Sequence, residues 1–449
     1  MVTTLPADIT DSARLRGLKQ ILSPKVIDRS IGHRLKNRYC KRIDNHRLLW
    51  LIVAMGFFPS DNYRQIFRLL SAVWVQTPFS ATITMARKRL ASEVVHKLCD
   101  DVVKLLARSA AEHPFAFYKN LRLMGVDGTL LDCPDTDANR QAFGRPSNQT
   151  SAGAFPKVRV VSLCELGTRV LWRSVIGPYH QSELRLTHSL LKYLTPSMLL
   201  LADRHFGVAP MIYPLLNAKV PFLIRCKKGQ IFAAETALAD GSYLSTIHLG
   251  KNDRLLRRPG KQVRVIRYVH RDANRPGCGE VHVLLTSLLD AVEHPAIELI
   301  ELYHVRWQEE IAFSEWKVVL GENTKLRSQS PAMVRQEIWG KLMSFFVVRT
   351  LIFEASAVAE VEPRGISFTG ALEVLMARLP EIQKSRPKTK WWLRHLINEI
   401  AEQTLPRRVD RINPRKVKKR SQARPTKRDS DRSPPKPNGP FRDHVQISF

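Results

Sequence analysis

Short apolar runs in the middle of the chain follow one another in an order that constrains the fold more than any other feature. LRLMGV, VRVVSLCEL and TRVLWRSVIG have the composition of three strands, and SELRLTHSLLKYL has the spacing of an amphipathic helix. The strand MLLLA, the helix PMIYPLLNA and the strand PFLIRCKKG come next. The order β-β-β-α-β-α-β predicts an α/β fold with a mixed five-stranded sheet and covering helices.

The regions around this sheet differ in composition and apolar periodicity, and these differences predict six segments. The predicted sheet and helices are what an RNase H-like core would produce. The segments are a helical N-terminal domain (1–118), the first part of the RNase H-like core (119–228), a β-rich insertion (229–294), core helices (295–360), a helical C-terminal region (361–405) and a basic disordered tail (406–449).

Two short predicted helices in the N-terminal domain, NYRQIFRLL and SATITMARKRL, have the arrangement of a helix-turn-helix. Helices in this domain are expected to break at Pro24, Pro59 and Pro78. The second helix of the pair carries Arg87, Lys88 and Arg89, which we expect to contact DNA. The alternative is an ordinary helical bundle with surface cations.

Charge is the main compositional signal. Against 41 acidic residues the chain has 71 Lys and Arg, a net charge of +30, of which the tail contributes +10 and residues 1–405 the remaining +20. Such an excess favours a polyanionic partner, and nucleic acid first. A membrane is disfavoured because the longest apolar run, Leu48–Phe58, is shorter than the ~18 to 20 residues of a span.

The chain also opens without a signal segment, and its 6 cysteines are scattered without metal-site spacing. We therefore expect an intracellular protein with no zinc site and no disulfide framework.

Two aspartates follow buried runs. Asp127 in LMGVDGT and Asp203 in LLLADRHFG each stand just past a predicted strand, where sites in α/β sheets are built. Placing a carboxylate beside the core is costly unless it is paired or binds a cation. The alternative is that each aspartate caps the turn that follows.

A third carboxylate lies in YHVRWQEEIAFSEWK. At about 100° per residue, Tyr303, Arg306, Glu310 and Lys317 share an arc of about 60° on one helix, whereas Glu309 and Glu315 fall elsewhere. Arg306, Lys317 and Tyr303 would contact phosphates beside Glu310. The alternative is a surface pair between Arg306 and Glu310, which contributes only a few tenths of a kcal/mol.

Asp127, Asp203 and Glu310 together predict a metal site. Converging carboxylates repel unless hard cations neutralise them, and oxygen ligands suit Mg²⁺ or Mn²⁺. Two such ions, about 3.5 to 4 Å apart, can activate a water or a 3′ hydroxyl for attack on a phosphodiester. This is nuclease and strand-transfer chemistry.

At this point the chain resembles the DDE transposases of bacterial insertion sequences, in the insertion-sequence-four group, over about residues 15–355. The group's Y-x2-R-x3-E-x6-K signature is complete as Tyr303, Arg306, Glu310 and Lys317. GVDGT and LLLADRHF look like its two aspartate blocks, and ILSPKVIDRSI and SATITMARKRL look like its N-terminal DNA-binding region. The β-rich segment lies where the group carries an insertion.

The resemblance implies cut-and-paste transposition on double-stranded DNA, with paired element ends held by a homodimer in the bacterial cytoplasm, at the nucleoid. Members can pass through a hairpin with a flipped base. FLIRCKKG resembles a DNA-contacting segment of the group and gives Arg225, Lys227 and Lys228.

In one position the chain departs from relatives, which can place a tryptophan before the LLLTS-like strand to stack on the flipped base. Here VHVLLTS offers His282. His282 is therefore either a base contact with a smaller ring or a plain strand residue.

Two further functions are left open by the sequence. One is a DNA-binding protein without catalysis, and the other is a nuclease of the same fold that does not join strands.

Overall fold

The computed structural model describes residues 19, 22, 24–31, 43, 45–70, 76–148, 151–152, 155–256, 259–275, 277–319, 325–379, 389–406 and 438–447. The chain forms two compact units. Unit 1 consists of Met1–Tyr193 and Trp307–Leu405, and unit 2 of Leu194–Arg306 and Pro406–Phe449. Each unit is thus assembled from two separate stretches of chain. The six segments predicted in sequence order stay predictions.

Unit 1 begins with helices, as predicted. Pro24 does not break a helix but begins one, because proline suits the first helical turn, where no backbone donor is needed. Pro59 and Pro78 lie between helices. The described helices are α1 (Pro24–Ile31), α2 (Asn45–Ala54), α3 (Tyr63–Leu70), α4 (Ser80–Arg89) and α5 (Ser92–Val102).

The sheet of unit 1 is antiparallel. Its central strands, Leu121–Asp132 (β2) and Lys157–Glu165 (β5), pair with each other. Val170–Pro178 (β6) pairs with β5, and Phe117–Tyr118 (β1) pairs with β2. The helix predicted for SELRLTHSLLKYL is shorter in the structure, where α7 (Glu183–His188) ends at His188. The elements are β1 (Phe117–Tyr118), β2 (Leu121–Asp132), α6 (Asp137–Phe143), β3 (Ser147–Asn148), β4 (Ser151–Ala152), β5 (Lys157–Glu165), β6 (Val170–Pro178) and α7 (Glu183–His188).

Strand β2 is longer than the sequence suggested. LMGVDGT was expected to leave the strand at Asp127, but pairing with β5 continues through Asp127↔Ser162 to Asp132↔Lys157. Gly128 and Thr129 are strand residues because the neighbouring strand satisfies their backbone, which local turn preference does not reveal. Asp127 therefore lies within β2.

Unit 2 contains the predicted strand, helix and strand together with the β-rich segment. The strands Met198–Ala202 (β7) and Phe222–Arg225 (β8) are parallel. From β8 an antiparallel series continues through Val281–Thr286 (β12), Lys261–His270 (β11), Tyr243–Ile247 (β10) and Thr236–Ala237 (β9). The pairing of β11 with β12 confirms the two alternating runs. The elements are β7 (Met198–Ala202), α8 (Ala209–Asn217), β8 (Phe222–Arg225), β9 (Thr236–Ala237), β10 (Tyr243–Ile247), α9 (Lys251–Leu255), β11 (Lys261–His270), β12 (Val281–Thr286) and α10 (Ala296–Tyr303).

The end of the predicted disordered tail is folded. Strand β13 (Val445–Ile447) pairs antiparallel with Tyr268–His270 of β11. The Arg275 guanidinium donates to the Gly439 carbonyl at 3.0 Å, and the Arg271 amide to the His444 carbonyl at 2.9 Å. The prediction of disorder is wrong for residues 438–447, and residues 407–437 lie outside the described residues.

Unit 1 is completed by α11 (Trp307–Ser314), α12 (Pro331–Val358), α13 (Phe368–Arg378) and α14 (Thr389–Ala401). Helix α12 is buried over most of its circumference, which fits its largely apolar sequence. A Cβ atom at Gly340 would lie 2.3 Å from the Ile52 carbonyl oxygen. Glycine thus permits the close packing of α12 on α2.

The described cysteines are unbridged. Cys99, Cys133, Cys164 and Cys226 are buried and Cys278 is exposed, whereas Cys40 lies outside the described residues. Across the described part of the chain, none of the helices combines the length and apolarity of a membrane span.

Candidate active site

One face of β2 carries the first candidate carboxylate. Side chains alternate along a strand, so positions 125, 127 and 129 lie on the same side of β2. Asp127 is half-buried there, and its Oδ1 accepts a hydrogen bond of 2.7 Å from the Gly128 amide.

Helix α11, which carries Glu310, packs on β2. Glu309 is fully buried, and a Cβ atom at Gly125 would lie 2.4 Å from its Oε2. A side chain at position 125 would therefore displace the Glu309 carboxylate. The helix-face prediction assigned no role to Glu309, because amphipathic spacing does not distinguish a buried carboxylate from an exposed one. Glu310 itself is half-buried.

Lys317 reaches the same strand. Its Nζ donates a hydrogen bond of 2.8 Å to Thr129 Oγ1. Burial lowers the Lys317 pKa, and the neighbouring Lys157 lowers it further. The contacts at positions 125 and 129 flank Asp127, so the structure brings together Asp127 and the segment that carries Glu310 and Lys317.

The predicted regular helix through Tyr303 and Lys317 is interrupted twice. Residues His304–Arg306 form a 3₁₀ turn and residues Glu315–Val319 a π turn, on either side of α11. Because these turns have other periods than 3.6 residues, the common arc computed for a regular α-helix does not hold. The side chains are placed by separate contacts instead.

In unit 2, Tyr303 and Arg306 are buried, at 8% and 7% exposure. The Tyr303 hydroxyl donates to the Ala202 carbonyl at 3.1 Å, and the Arg306 guanidinium lies 5.9 Å from the Tyr303 ring centre. Burial raises the Tyr303 pKa, so the phenol stays protonated. In the structure Tyr303 anchors the end of β7, and its contact with phosphate stays a prediction.

Asp203 directly follows β7, as predicted. It is half-buried, and its Oδ1 accepts a hydrogen bond of 2.8 Å from the His205 amide. The aspartate therefore does cap a turn. The Tyr303 bond to the preceding carbonyl fixes the backbone that presents this carboxylate.

A cationic pocket of about 490 Å³ also lies in unit 2. Arg225, Lys227 and Lys228, all predicted to contact DNA, line it. Arg204 and Arg267 line it too and were missed, although Arg204 follows Asp203 directly and Arg267 alternates with core residues in β11. The pocket has five cations and one acid, Glu280, and is suited to phosphate.

His282 lies beside this pocket on β12. Its ring centre is 5.1 Å from that of Tyr268, and Arg225 donates to its Nδ1 at 2.8 Å. Burial, helped by the Arg225 charge, lowers the His282 pKa to about 4. The imidazole is therefore neutral near pH 7. Base stacking by His282 stays a prediction.

We expect the His282→Gln variant to weaken the pH dependence of stability. The His282 pKa falls from 6.5 to about 4 on folding, so below pH 6.5 the unfolded chain takes up a proton that the folded chain does not. This contribution is complete above pH 6.5 and is lost as the pH falls toward 4. Urea unfolding at pH 7 and pH 5 measures it. An equal loss in wild type and variant would contradict the assignment.

The three cations of α4 have different environments. Lys88 and Arg89 are exposed, whereas Arg87 is fully buried. Arg87 donates to Gln336 at 3.2 Å, to the Tyr63 hydroxyl at 2.6 Å and to the Met333 carbonyl at 3.0 Å. The prediction that Arg87 contacts DNA is therefore wrong, because the side chain joins α4 to α3 and α12.

A preassembled metal cluster is not seen among the described residues, where no group of three or more His, Cys, Asp and Glu side chains is arranged to hold a metal ion. The donor chemistry nevertheless suits Mg²⁺ or Mn²⁺, because Asp127, Asp203 and Glu310 offer only carboxylate oxygens and each is half-buried.

Known proteins match the chain over most of its length. The family model described as "Transposase DDE domain" matches residues 119–347, and the model described as "Insertion element 4 transposase N-terminal" matches residues 12–100. The transposase InsG for insertion sequence element IS4 of Escherichia coli K12 is 28% identical over 433 residues, which cover 93% of this chain and 95% of the relative.

Two other similarities cover less or are more distant. The putative transposase InsZ of Escherichia coli K12 is 30% identical over 127 residues, 28% of this chain and 42% of the relative. A solved structure of the piggyBac transposase in a synaptic complex with hairpin DNA has 12% identity and a TM-score of 0.45, over 88% of this chain and 86% of that one.

Proposed function

Because the chain belongs to the family of transposases with a DDE domain, it is a DNA transposase with an RNase H-like core, and we propose that it moves its own element by a cut-and-paste route. In this route it nicks the element ends with water and then directs the freed 3′ hydroxyl to the target strand. The main support is the packing of the Glu310 segment on the β2 face that carries Asp127.

Enzymes of this family depend on divalent metal ions. The proposal assigns Asp127, Asp203 and Glu310 as ligands of two Mg²⁺ or Mn²⁺ ions, in agreement with their all-oxygen donor set. Bound ions of this kind lower the pKa of a water or hydroxyl and stabilise the leaving oxygen. The protein's own contribution is to present the three carboxylates.

The remaining site residues bind and orient DNA. Lys317 places an ammonium group beside the Asp127 face, where it attracts the scissile phosphate. Arg225, Lys227 and Lys228, with Arg204, line a pocket for the sugar-phosphate backbone. Lys88 and Arg89 on α4 add phosphate contacts away from the chemistry, and the basic tail adds nonspecific attraction.

The proposed function also includes a homodimer on DNA in the bacterial cytoplasm. Joining requires both element ends to be held together, which favours a homodimer on double-stranded DNA. The relatives named above come from a bacterium, and the excess of basic residues suits a protein of the bacterial cytoplasm that stays with the nucleoid.

The experiment is a cleavage and joining assay with purified protein, Mg²⁺ and end-labelled DNA containing the sequences that flank the gene. We expect nicked 3′ ends first and joined product later, and no product when EDTA removes the metal. Nicks without joining would favour a nuclease. Binding without nicking, in Mg²⁺ and in Mn²⁺, would favour a noncatalytic DNA-binding protein.

A further inference from the structure

A buried ionic cluster in unit 1 lies next to the segment that carries Glu310. It consists of Arg169, Glu315 and Arg349, and the two arginines are 7% and 1% exposed. Arg169 Nη1 donates to Glu315 Oε1 at 2.8 Å, and Arg349 forms an ion pair with the other oxygen, Oε2. Both oxygens of one carboxylate are therefore engaged by guanidinium groups from different elements.

Arg169 contacts the Glu310 segment at two points. Besides its bond to Glu315, its Nε donates to Gln308 Oε1 at 2.8 Å. Gln308 lies in the first turn of α11 and Glu315 begins the π turn, so the two contacts bracket Glu310. A planar guanidinium has several donors in a fixed geometry and can make both contacts, whereas a lysine ammonium has a single nitrogen.

The backbone at Arg169 connects these two contacts to the sheet. Arg169 lies in the turn between β5 and β6 with a φ of 59°, a conformation that is unusual for a residue with a side chain. Strand β5 pairs with β2, where Asp127 is opposite Ser162. The turn therefore connects β5, the strand that pairs with the Asp127 strand, to the helix that carries Glu310.

Arg349 holds the cluster from the other side. It belongs to α12, and its guanidinium lies 5.4 Å from the Phe345 ring centre and 5.0 Å from that of Phe368. Burial lowers the pKa of both arginines, that of Arg169 to about 10, and a guanidinium group keeps its proton in proteins. Two buried cations around Glu315 fix its orientation, because rotating the carboxylate would separate a desolvated ion pair.

We infer that Arg169, Glu315 and Arg349 are positioning residues, which form a clamp that holds Glu310 for metal binding and Lys317 for phosphate binding. This inference rests on the proposed function, since it gives the clamp a role in the same site. The π turn begins at the clamped residue Glu315, so the clamp also determines where the chain turns Lys317 toward Thr129.

The test compares two variants of the clamp with a control variant in a more exposed ion pair. Arg169→Lys keeps the buried charge but cannot bridge Gln308 and Glu315, and Gln308→Ala removes only one contact. The control, Arg378→Lys, makes the same change in an Arg378–Glu399 pair with two hydrogen bonds, on α13 and α14. Binding of Mn²⁺ to the full-length protein without DNA is measured by electron paramagnetic resonance, with circular dichroism as the check on folding.

We expect Arg169→Lys to weaken Mn²⁺ binding about 10- to 100-fold, Gln308→Ala to weaken it less, and Arg378→Lys to leave it unchanged. In the cleavage assay kcat should fall by a larger factor than KM for DNA rises, because most of the proposed phosphate contacts lie outside the clamp. If Arg169→Lys does not fold, Gln308→Ala decides.

Two results would overturn the clamp. One is wild-type Mn²⁺ affinity in folded Arg169→Lys, or in Gln308→Ala where that variant decides. The other is an equal loss in Arg378→Lys, which would indicate general destabilisation. If the wild-type protein binds no Mn²⁺, the metal assignment in the proposed function fails and the clamp fails with it.

Discussion

Replacement of Asp127 by asparagine is expected to reduce metal-dependent DNA cleavage by more than ~1,000-fold while DNA binding is retained. A metal ligand stabilises the transition state by several kcal/mol, and each 1.36 kcal/mol corresponds to a tenfold change in rate. Asp203→Asn should have the same effect, and the double variant should be no worse, because residues that act as one unit are not additive. Single-turnover nicking and gel-shift binding are the measurements.

The control for these variants is Asp135→Asn, on the loop after β2. Asp135 pairs with Arg140 and Arg145 away from the Asp127 face, so its loss should change the rate little. Equal losses at Asp127 and Asp135 would contradict the metal assignment.

Glu310→Gln should be as damaging as Asp127→Asn, and Glu309→Gln far less so. Because Glu309 is buried against Gly125, its substitution can shift α11, but it does not remove a proposed ligand. Comparable losses at positions 309 and 310 would refute the assignment of Glu310. Thermal unfolding of both variants separates a shifted helix from an unfolded protein.

Arg87→Met is expected to destabilise unit 1 by about 3 kcal/mol, because it removes the cation that Gln336, Tyr63, Ser328 and the Met333 carbonyl bind and leaves buried polar groups without their donor. The expected result is a lower midpoint of urea unfolding. DNA affinity, measured under conditions where the variant is folded, should be unchanged.

The double variant Lys88→Ala with Arg89→Ala should leave the stability unchanged and weaken DNA binding. Both side chains are exposed, so unfolding should be unaffected, whereas the slope of log affinity against log salt should fall by about 1.8, at roughly 0.9 for each lost phosphate contact. A loss of DNA affinity in folded Arg87→Met, or none in the double variant, would contradict this division of roles.

Asp203 and the main strands of both units could be predicted because they depend on local sequence, whereas helix α6 between β2 and β5 was not predicted. At Asp203 an aliphatic run followed directly by an acid predicted both the buried strand and its end, and β7 ends at Ala202. The alternation in KQVRVIRYVH and VHVLLT likewise identifies β11 and β12.

The errors came from contacts between distant residues. Nothing local in LMGVDGT shows that β5 continues to pair beyond Asp127. The signature from Tyr303 to Lys317 is in the sequence, but the 3₁₀ and π turns that interrupt the helix are set by packing partners, among them Arg169 and Thr129. Charge alone cannot distinguish buried Arg87 from exposed Lys88.

Strand β13 has a consequence for the solubility of shortened chains. Strand β10 pairs with β11 only as far as Val265, and β13 pairs with Tyr268–His270, further along β11. A protein trimmed before residue 438 would leave these backbone groups open on an edge of the sheet. Such an edge recruits strands from other molecules, so trimmed protein should aggregate at concentrations where the full-length chain stays dispersed.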